Sequence, residues 1–308
     1  MDLRIVFMGT PDFAVPSLEK LAENSIVAGV VCQPDRQSGR GRKIIPPPVK
    51  VSALELGLEV FQPENVNTEE SLAQIQAWKP DLICVAAFGQ ILKPVALSLP
   101  ENGCLNVHAS LLPRWRGASP INAAILAGDS HSGVTIMKMG VGLDDGPILS
   151  QESVEIGPEE TAGLLSDRLA RLGGDLLVKT IPLYLRGELQ LQPQDPGLVT
   201  YARMLKKKSG ELDFNQPALD LARKVRAFSP WPGTYTTWEG KRLLVHQTTT
   251  CPVTSPGVGV FIKYEGKPAI GTGAGILVLN RLQLAGKKAV SGEEFLRGNS
   301  AWGNAAAA

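Results

Sequence analysis

Apolar residues come in short runs along the first half of the chain, at 4–8, 27–32, 81–86, 103–108, 134–137 and 148–151. Each run is four to six residues long, the length of a strand buried in a sheet. Between them, the stretches 15–23, 49–56, 69–78, 120–127 and 162–185 repeat their apolar positions at helical spacing. Strand alternating with helix predicts a doubly wound, mostly parallel α/β sheet. Ligands of such sheets gather beyond the carboxyl ends of the strands, so the residues following each run are the first candidates for chemistry. From 186 to 197 the chain turns polar and rich in glycine, proline and glutamine, which predicts a linker. Beyond one helical segment at 218–228 the pattern shortens to alternating runs at 241–245, 258–264 and 275–279, broken by glycine and Pro-Gly. That pattern predicts a smaller β-barrel or sandwich. The expected division is a first domain over 1–189, a linker over 190–206 and a C-terminal domain over 207–308.

Composition supports this division. A chain of 308 residues, 44% hydrophobic and 20% charged, has room for two modest domains and excludes disordered, collagenous and fibrous classes. No apolar run approaches the roughly 18 residues of a membrane helix. The first one ends at Thr10-Pro11-Asp12, unlike a signal peptide. Four cysteines, Cys32, Cys84, Cys104 and Cys251, lie far apart with no C-x-x-C, which fits reduced thiols and a cytoplasmic protein. Net charge is +1, but residues 1–190 carry −6 and residues 191–308 carry +7. The basic C-terminal third hints at a polyanionic partner.

The chemistry concentrates in three segments. In Cys104-Leu-Asn-Val-His-Ala-Ser-Leu-Leu-Pro-Arg-Trp-Arg-Gly117, Asn106 and His108 stand two apart at a strand end and so share one face, about 6.5–7 Å apart. An imidazole takes a proton from an attacking amine, and an amide N–H donates to a developing oxyanion, a pair suited to acyl-type transfer. Taken alone, a single strand-end histidine more often closes a local hydrogen bond; His131 and His246 are read as structural. In Gly133-Val-Thr-Ile-Met-Lys-Met-Gly-Val-Gly-Leu-Asp-Asp-Gly146, a strand runs into a glycine-rich loop. Its Asp144 either orients His108 or makes a polar turn with Asp145. The third segment, 33–50, holds Arg36, Arg40, Arg42, Lys43 and Lys50 against one acid, Asp35: a grip on phosphates or a solvated loop.

Further basic clusters are Arg203 with Lys206, Lys207 and Lys208; Arg223, Lys224 and Arg226; and Lys287 with Lys288. Aromatic residues lie among them, with Trp231 in Ser-Pro-Trp-Pro-Gly read as a packing residue at least as readily as a nucleotide-stacking one. Neither a Walker loop nor G-x-G-x-x-G occurs, and the scattered histidines and cysteines give no zinc spacing, so no metal is expected.

As a set these segments resemble the methionyl-tRNA formyltransferase family. The resemblance rests on Phe-Met-Gly-Thr-Pro-Asp-Phe-Ala-Val-Pro (7–16), Gln-Pro-Asp-Arg (33–36) with Gly-Arg-Gly (39–41), Asn-Val-His-Ala-Ser-Leu-Leu-Pro-Arg-Trp-Arg-Gly (106–117) and Gly-Leu-Asp-Asp-Gly (142–146). It continues through Thr-Tyr-Ala (200–202) with Leu-Asp-Phe (212–214), Arg-Ala-Phe-Ser-Pro-Trp-Pro-Gly-Thr (226–234) and Leu-Gln-Leu-Ala-Gly-Lys-Lys (282–288), covering almost the whole chain. It implies a Rossmann-like formyltransferase catalytic domain followed by an OB-like barrel. It also implies formyl transfer from 10-formyltetrahydrofolate to the α-amine of methionine on initiator tRNA.

By the same resemblance Asn106, His108 and Asp144 form the reacting set, and Ser110, Leu111, Leu112 and Pro113 contact the folate. Phe88, Gly89, Gln90 and Leu92, which follow the 81–86 run, extend that pocket. Arg36, Arg40, Arg42 and Lys43, with Lys206, Lys207 and Lys208, are the expected tRNA contacts, and a monomer is expected. The family often has an acid at the position of Gly140, a threonine at that of Asp145 and a tyrosine at that of Trp115, which leaves the hydrogen bonding of the 140–146 loop open. The competing readings are a folate-dependent formyltransferase acting on glycinamide ribonucleotide or an amino sugar, and a non-catalytic nucleic-acid-binding protein.

Overall fold

The structure, a computed structural model, describes residues 3–38 and 43–303. The chain forms two compact units, one of residues 1–120, 131–155 and 166–202, the other of 121–130, 156–165 and 203–308.

The first unit begins with β1 (Arg4–Gly9), α1 (Val15–Asn24) and β2 (Ile26–Val31). A short antiparallel pair follows, β3 (Arg36–Ser38) with β4 (Lys43–Ile45), then α2 (Pro48–Glu55), β5 (Val60–Phe61), α3 (Glu69–Ala77) and β6 (Leu82–Ala86). Next come α4 (Pro94–Leu97), β7 (Cys104–His108) and β8 (Arg116–Gly117). After α5 (Pro120–Ala127), most of which belongs to the second unit, follow β9 (His131–Lys138), β10 (Ile148–Glu155), α6 (Ala162–Leu185) and β11 (Tyr201–Ala202). The main sheet has the order β10-β9-β7-β6-β1-β2-β5. From β7 to β5 the strands are parallel, and β9 and β10 close one edge antiparallel. The order reverses direction at β1, with β2 on one side and β6 on the other, and in such sheets the carboxyl ends of these central strands are where ligands bind.

Alternation along the strands builds the core. Val6, Met8, Val31, Ile83, Val85 and Cys104 pack with Ile75 and Trp78 on one face. Gly29 is required there, because a side chain at that position would collide with the Trp78 ring. Val107 points to the other face, against Gly173 of α6. Asn106 and His108 therefore lie on the face opposite α6. The stretch expected to be a linker is partly paired: Gln192 bridges Ile148, and β11 runs parallel to β8, both within the first unit.

The second unit holds α7 (Ala218–Ala227), β12 (Thr234–Trp238), β13 (Lys241–Cys251), β14 (Phe261–Tyr264), β15 (Lys267–Gly271), β16 (Ile276–Leu284), β17 (Val290–Ser291) and α8 (Gly292–Gly298). The strands form an antiparallel sheet ordered β12-β13-β16-β15-β14, with β17 on β16. Trp238, Phe261, Phe295 and Trp302 meet at ring-centroid distances of 4.5–5.6 Å and anchor the core. Among the described residues no helix is long and apolar enough to cross a membrane.

Candidate active site

The site is assembled at the carboxyl end of β7. Asn106 and His108 are 8% and 6% exposed, and the side-chain amide of Asn106 has no hydrogen-bond partner among the described residues. An amide that the fold leaves without a partner is available to hydrogen-bond an oxygen or nitrogen brought to the end of β7. Cys104, on the same strand face, offers no competing nucleophile: burial pushes its thiol up to about 12.

His108 is gripped from two sides. Its Nε2 lies 3.0 Å from the carbonyl oxygen of Trp115, and its Nδ1 lies 3.7 Å from Oδ2 of Asp144. With the Nε2 hydrogen donated to the carbonyl, Nδ1 is the nitrogen left to exchange a proton, and a proton gained there meets a carboxylate. The same Oδ2 accepts a 2.7 Å hydrogen bond from the backbone N–H of Gly117. Asp144 reaches this point because the 139–147 loop starts beside Cys104, bonded through Met139 N to Cys104 O at 2.8 Å, and folds back toward β8. Gly117 has a positive φ of 111°, and a Cβ there would stand 2.7 Å from the Ala202 carbonyl, so only glycine fits.

The same loop places Gly140 beside Asp145. A Cβ on Gly140 would sit 2.6 Å from Oδ1 of Asp145, and one on Gly142 would also run into that carboxylate. The group met at both positions is the flexible end of the exposed Asp145 side chain.

The turn after β7 is held by a buried threonine. Thr135 Oγ1 donates to Ser110 O at 2.6 Å and accepts from Leu112 N at 3.1 Å and Gln151 Nε2 at 2.8 Å. Ser110 Oγ donates to Arg114 O, Leu111 lies on Gly133, and Leu112 packs with Met137 and Ile148, with Pro113 following. Beyond the ends of β1, β2 and β6, Thr10 Oγ1 and Gln33 Nε2 both donate to Phe88 O, at 2.8 and 3.4 Å. Phe88 and Leu92 are buried in the core, Gly89 is exposed with φ +88°, and Gln90 is bonded through both amide atoms to Val66 N and Pro63 O.

The predicted polyanion contacts divide into groups. Arg36 is exposed on β3, with Nη2 3.4 Å from Gln33 Oε1. Arg40 and Arg42 lie outside the described residues, and Lys43 opens β4. Lys50 is bound to Asp35 at 2.7 Å. In the second unit Lys206, Lys207 and Lys208 are exposed at a single 3₁₀ turn. Lys224 and Arg226 instead donate to the carbonyls of Glu211 and Glu160, and burial lowers the pKa of both; Arg223 pairs with Asp220. Trp231 is 53% exposed while Phe228 is buried. His246 bonds Gln283, and His131 opens β9.

Sequence reasoning did not find two residues that hold the site, Gln194 and Thr200. Gln194 Nε2 donates to the carbonyls of Asp144 and Gly146, and Thr200 Oγ1 accepts from Trp115 N. Both lie beyond the helical pattern, Gln194 in a stretch that reads as a linker and Thr200 just after it, so neither was assigned to the site.

Comparison with known proteins is consistent along nearly the whole length. The formyl transferase family matches residues 3–181, and the formyl transferase C-terminal domain matches residues 204–300. A methionyl-tRNA formyltransferase of Geobacter metallireducens is 47% identical over 299 residues, 96% of each chain. Another, of Chloroflexus aggregans, is 43% identical over 300 residues, 96% of this chain and 97% of its own. Among solved structures, the sugar 3N-formyl transferase WlaRD, determined with dTDP and 5-N-formyl-THF, superposes with a TM-score of 0.68 at 18% identity. That match covers 94% of this chain and all of the other, and it is a likeness of fold. With both parts matched and curated relatives this similar from end to end, the chain belongs to the formyl transferase family and, within it, to the methionyl-tRNA formyltransferases.

Proposed function

We propose that the chain transfers the formyl group of 10-formyltetrahydrofolate to the α-amine of methionine esterified on initiator tRNA, as a monomer in the cytoplasm. The observation that carries this reading is the similarity, across both units, to relatives named for that activity. A small-amine acceptor would need neither the exposed Lys206–Lys208 turn nor the basic 36–43 segment.

Asn106 is the oxyanion donor: its unpartnered amide hydrogen-bonds the oxygen as the amine nitrogen bonds to the formyl carbon and the C=O pair moves onto oxygen. His108 takes the amine's proton at Nδ1 and returns it to the folate nitrogen as the bond from that nitrogen to the formyl carbon breaks. Asp144 stabilises the cationic ring in between, and the Trp115 carbonyl fixes the ring plane. The Ser110–Pro113 turn and the backbone of 87–90 flank the folate. Because Phe88 and Leu92 are packed in the core and Gln90 is committed to the 63–66 backbone, those residues contribute through main-chain groups. Arg36, Arg40, Arg42 and Lys43 with Lys206, Lys207 and Lys208 meet tRNA phosphates. The site holds no metal in this reading.

The test is formyl transfer from 10-formyltetrahydrofolate to Met-tRNA, run beside free methionine, glycinamide ribonucleotide and an amino sugar. Charged initiator tRNA is expected to be the only acceptor used efficiently. An equal rate on any small amine would overturn the tRNA assignment, and no transfer to any acceptor would overturn the enzymatic one.

A further inference from the structure

The segment that follows α6 closes back over the site it appeared merely to leave. Gln194 uses its whole amide: Nε2 donates to Asp144 O at 2.8 Å and to Gly146 O at 2.7 Å, and Oε1 accepts from Arg116 Nε at 2.9 Å. Six residues later, Thr200 Oγ1 accepts from Trp115 N at 2.8 Å and the Thr200 carbonyl accepts from Arg116 N at 2.9 Å. The pairing continues as Ala118 N donates to Ala202 O at 3.0 Å.

These bonds fall at two backbone positions in the left-handed region. Trp115 has φ +63° and Asp144 has φ +48°, both in the left-handed region that residues with side chains hold only when their surroundings fix them. Trp115 supplies the carbonyl facing His108 Nε2, and Asp144 supplies the carboxylate facing Nδ1. One continuous segment thus holds both partners of the same imidazole.

We propose that Gln194 and Thr200 are positioning residues for formyl transfer, setting the orientation of the His108 ring through the Asp144 turn and the Trp115 peptide. The proposal rests on the reading of Asn106, His108 and Asp144 as the reacting set. No other common side chain replaces Gln194: glutamate lacks the two donors, and asparagine is one methylene short.

The experiment uses the full chain with Thr200→Val, which keeps the branched shape and removes the acceptor, Thr200→Ser, which keeps it, and Gln194→Met, which keeps length and removes the amide. Each is measured for kcat, for KM of both substrates, for Tm, and for the ¹⁵N shifts of the His108 ring, assignable because the chain has only three histidines. Thr200→Val and Gln194→Met are expected to lower kcat about tenfold with KM changed less than about twofold, and to move the His108 ¹⁵N pattern. Thr200→Ser is expected to restore both. The proposal is overturned if Thr200→Val turns over like the parent chain, if Thr200→Ser loses as much as Thr200→Val, or if the ¹⁵N pattern is the same in all variants. Should Gln194→Met not fold, the Thr200 pair decides alone. A parent chain that formylates nothing defeats the functional reading instead, and the ¹⁵N shifts then decide the positioning claim.

Discussion

The two units hold their functional candidates differently. In the first, the polar groups of the site are withdrawn from water and fixed: His108 between a carbonyl and a carboxylate, Asp144 on the Gly117 amide. In the second, where basic residues outnumber acidic ones, three lysines of one turn stay exposed while Arg223, Lys224 and Arg226 are tied to Asp220 and to backbone carbonyls. A count of basic residues therefore overstates the surface offered to a polyanion. In the function proposed, the buried groups with set geometry would govern rate, and the exposed charges affinity and its salt dependence.

The strongest attempt to break this contrast is Asn106→Ala. Removing one oxyanion donor lowers turnover about 10²–10³-fold. The KM for tRNA and its salt dependence should hardly move, since no phosphate contact is lost. Steady-state kinetics at two ionic strengths decides it, and a variant keeping more than about a tenth of parental kcat would remove Asn106 from the mechanism.

A smaller effect tests the fit of the loop. Gly140→Asp brings a second carboxylate against Asp145, and like charges at that range destabilise the turn that carries Asp144. About a tenfold loss of kcat with a lower Tm is expected. Adding Asp145→Thr to Gly140→Asp should recover most of both. A double variant no better than the single one would show that the two positions are independent.

Smaller again is the effect of the exposed lysines. Replacing Lys206, Lys207 and Lys208 with alanine should raise the KM for tRNA and reduce the slope of its logarithm against log salt by up to about one per phosphate contact, leaving kcat unchanged. Lys224→Met should do the reverse, lowering Tm through the lost bond to Glu211 O without altering the slope. If Lys224→Met changes the slope as much as the lysine turn does, the division drawn between the two kinds of basic residue fails.

Much of this arrangement was readable in the sequence, and its gaps have physical causes. The buried strands are legible because short, mostly apolar runs rich in valine and isoleucine, bounded by turn residues, are too brief for a buried helix. Likewise Asn106 and His108 share a face through simple alternation. The pairings β8 with β11 and β2 with β5 went unseen because two-residue strands have too few positions to show a period. The missed α8 did carry a signal, since Ser291 and Glu294 form a capping box. Gln194 carried none, and Thr200 belonged to a family motif that gave it no role: what both do exists only once the chain returns to β8, and nothing local in a glutamine among prolines encodes that return. The exposure of Trp231 was equally unreadable, because Pro-Trp-Pro-Gly suits an anchored turn as well as a protruding one.

Asp35 stands between the two regimes and gives the smallest effect. Its carboxylate accepts from Lys50 Nζ at 2.7 and 2.9 Å and from Gln62 Nε2 at 2.8 Å, and the Lys50 bond, with that of Gln62, holds its pKa below the usual range. A carboxyl group whose pKa is lower folded than unfolded adds stability above its unfolded value, about 3.9, and loses it as pH falls through the folded value. Lys50→Met should therefore lower Tm at pH 7, and the gap to the parent chain should close as pH falls below about 4. The effect stays small because both side chains are partly exposed, at 23% and 30%, and water and salt screen the pair. A Tm gap that is equally wide at pH 7 and pH 3 would mean that Lys50 acts through packing of its methylene chain. Asp35 would then anchor the root of the basic 36–43 segment by its bond from Gln62 alone.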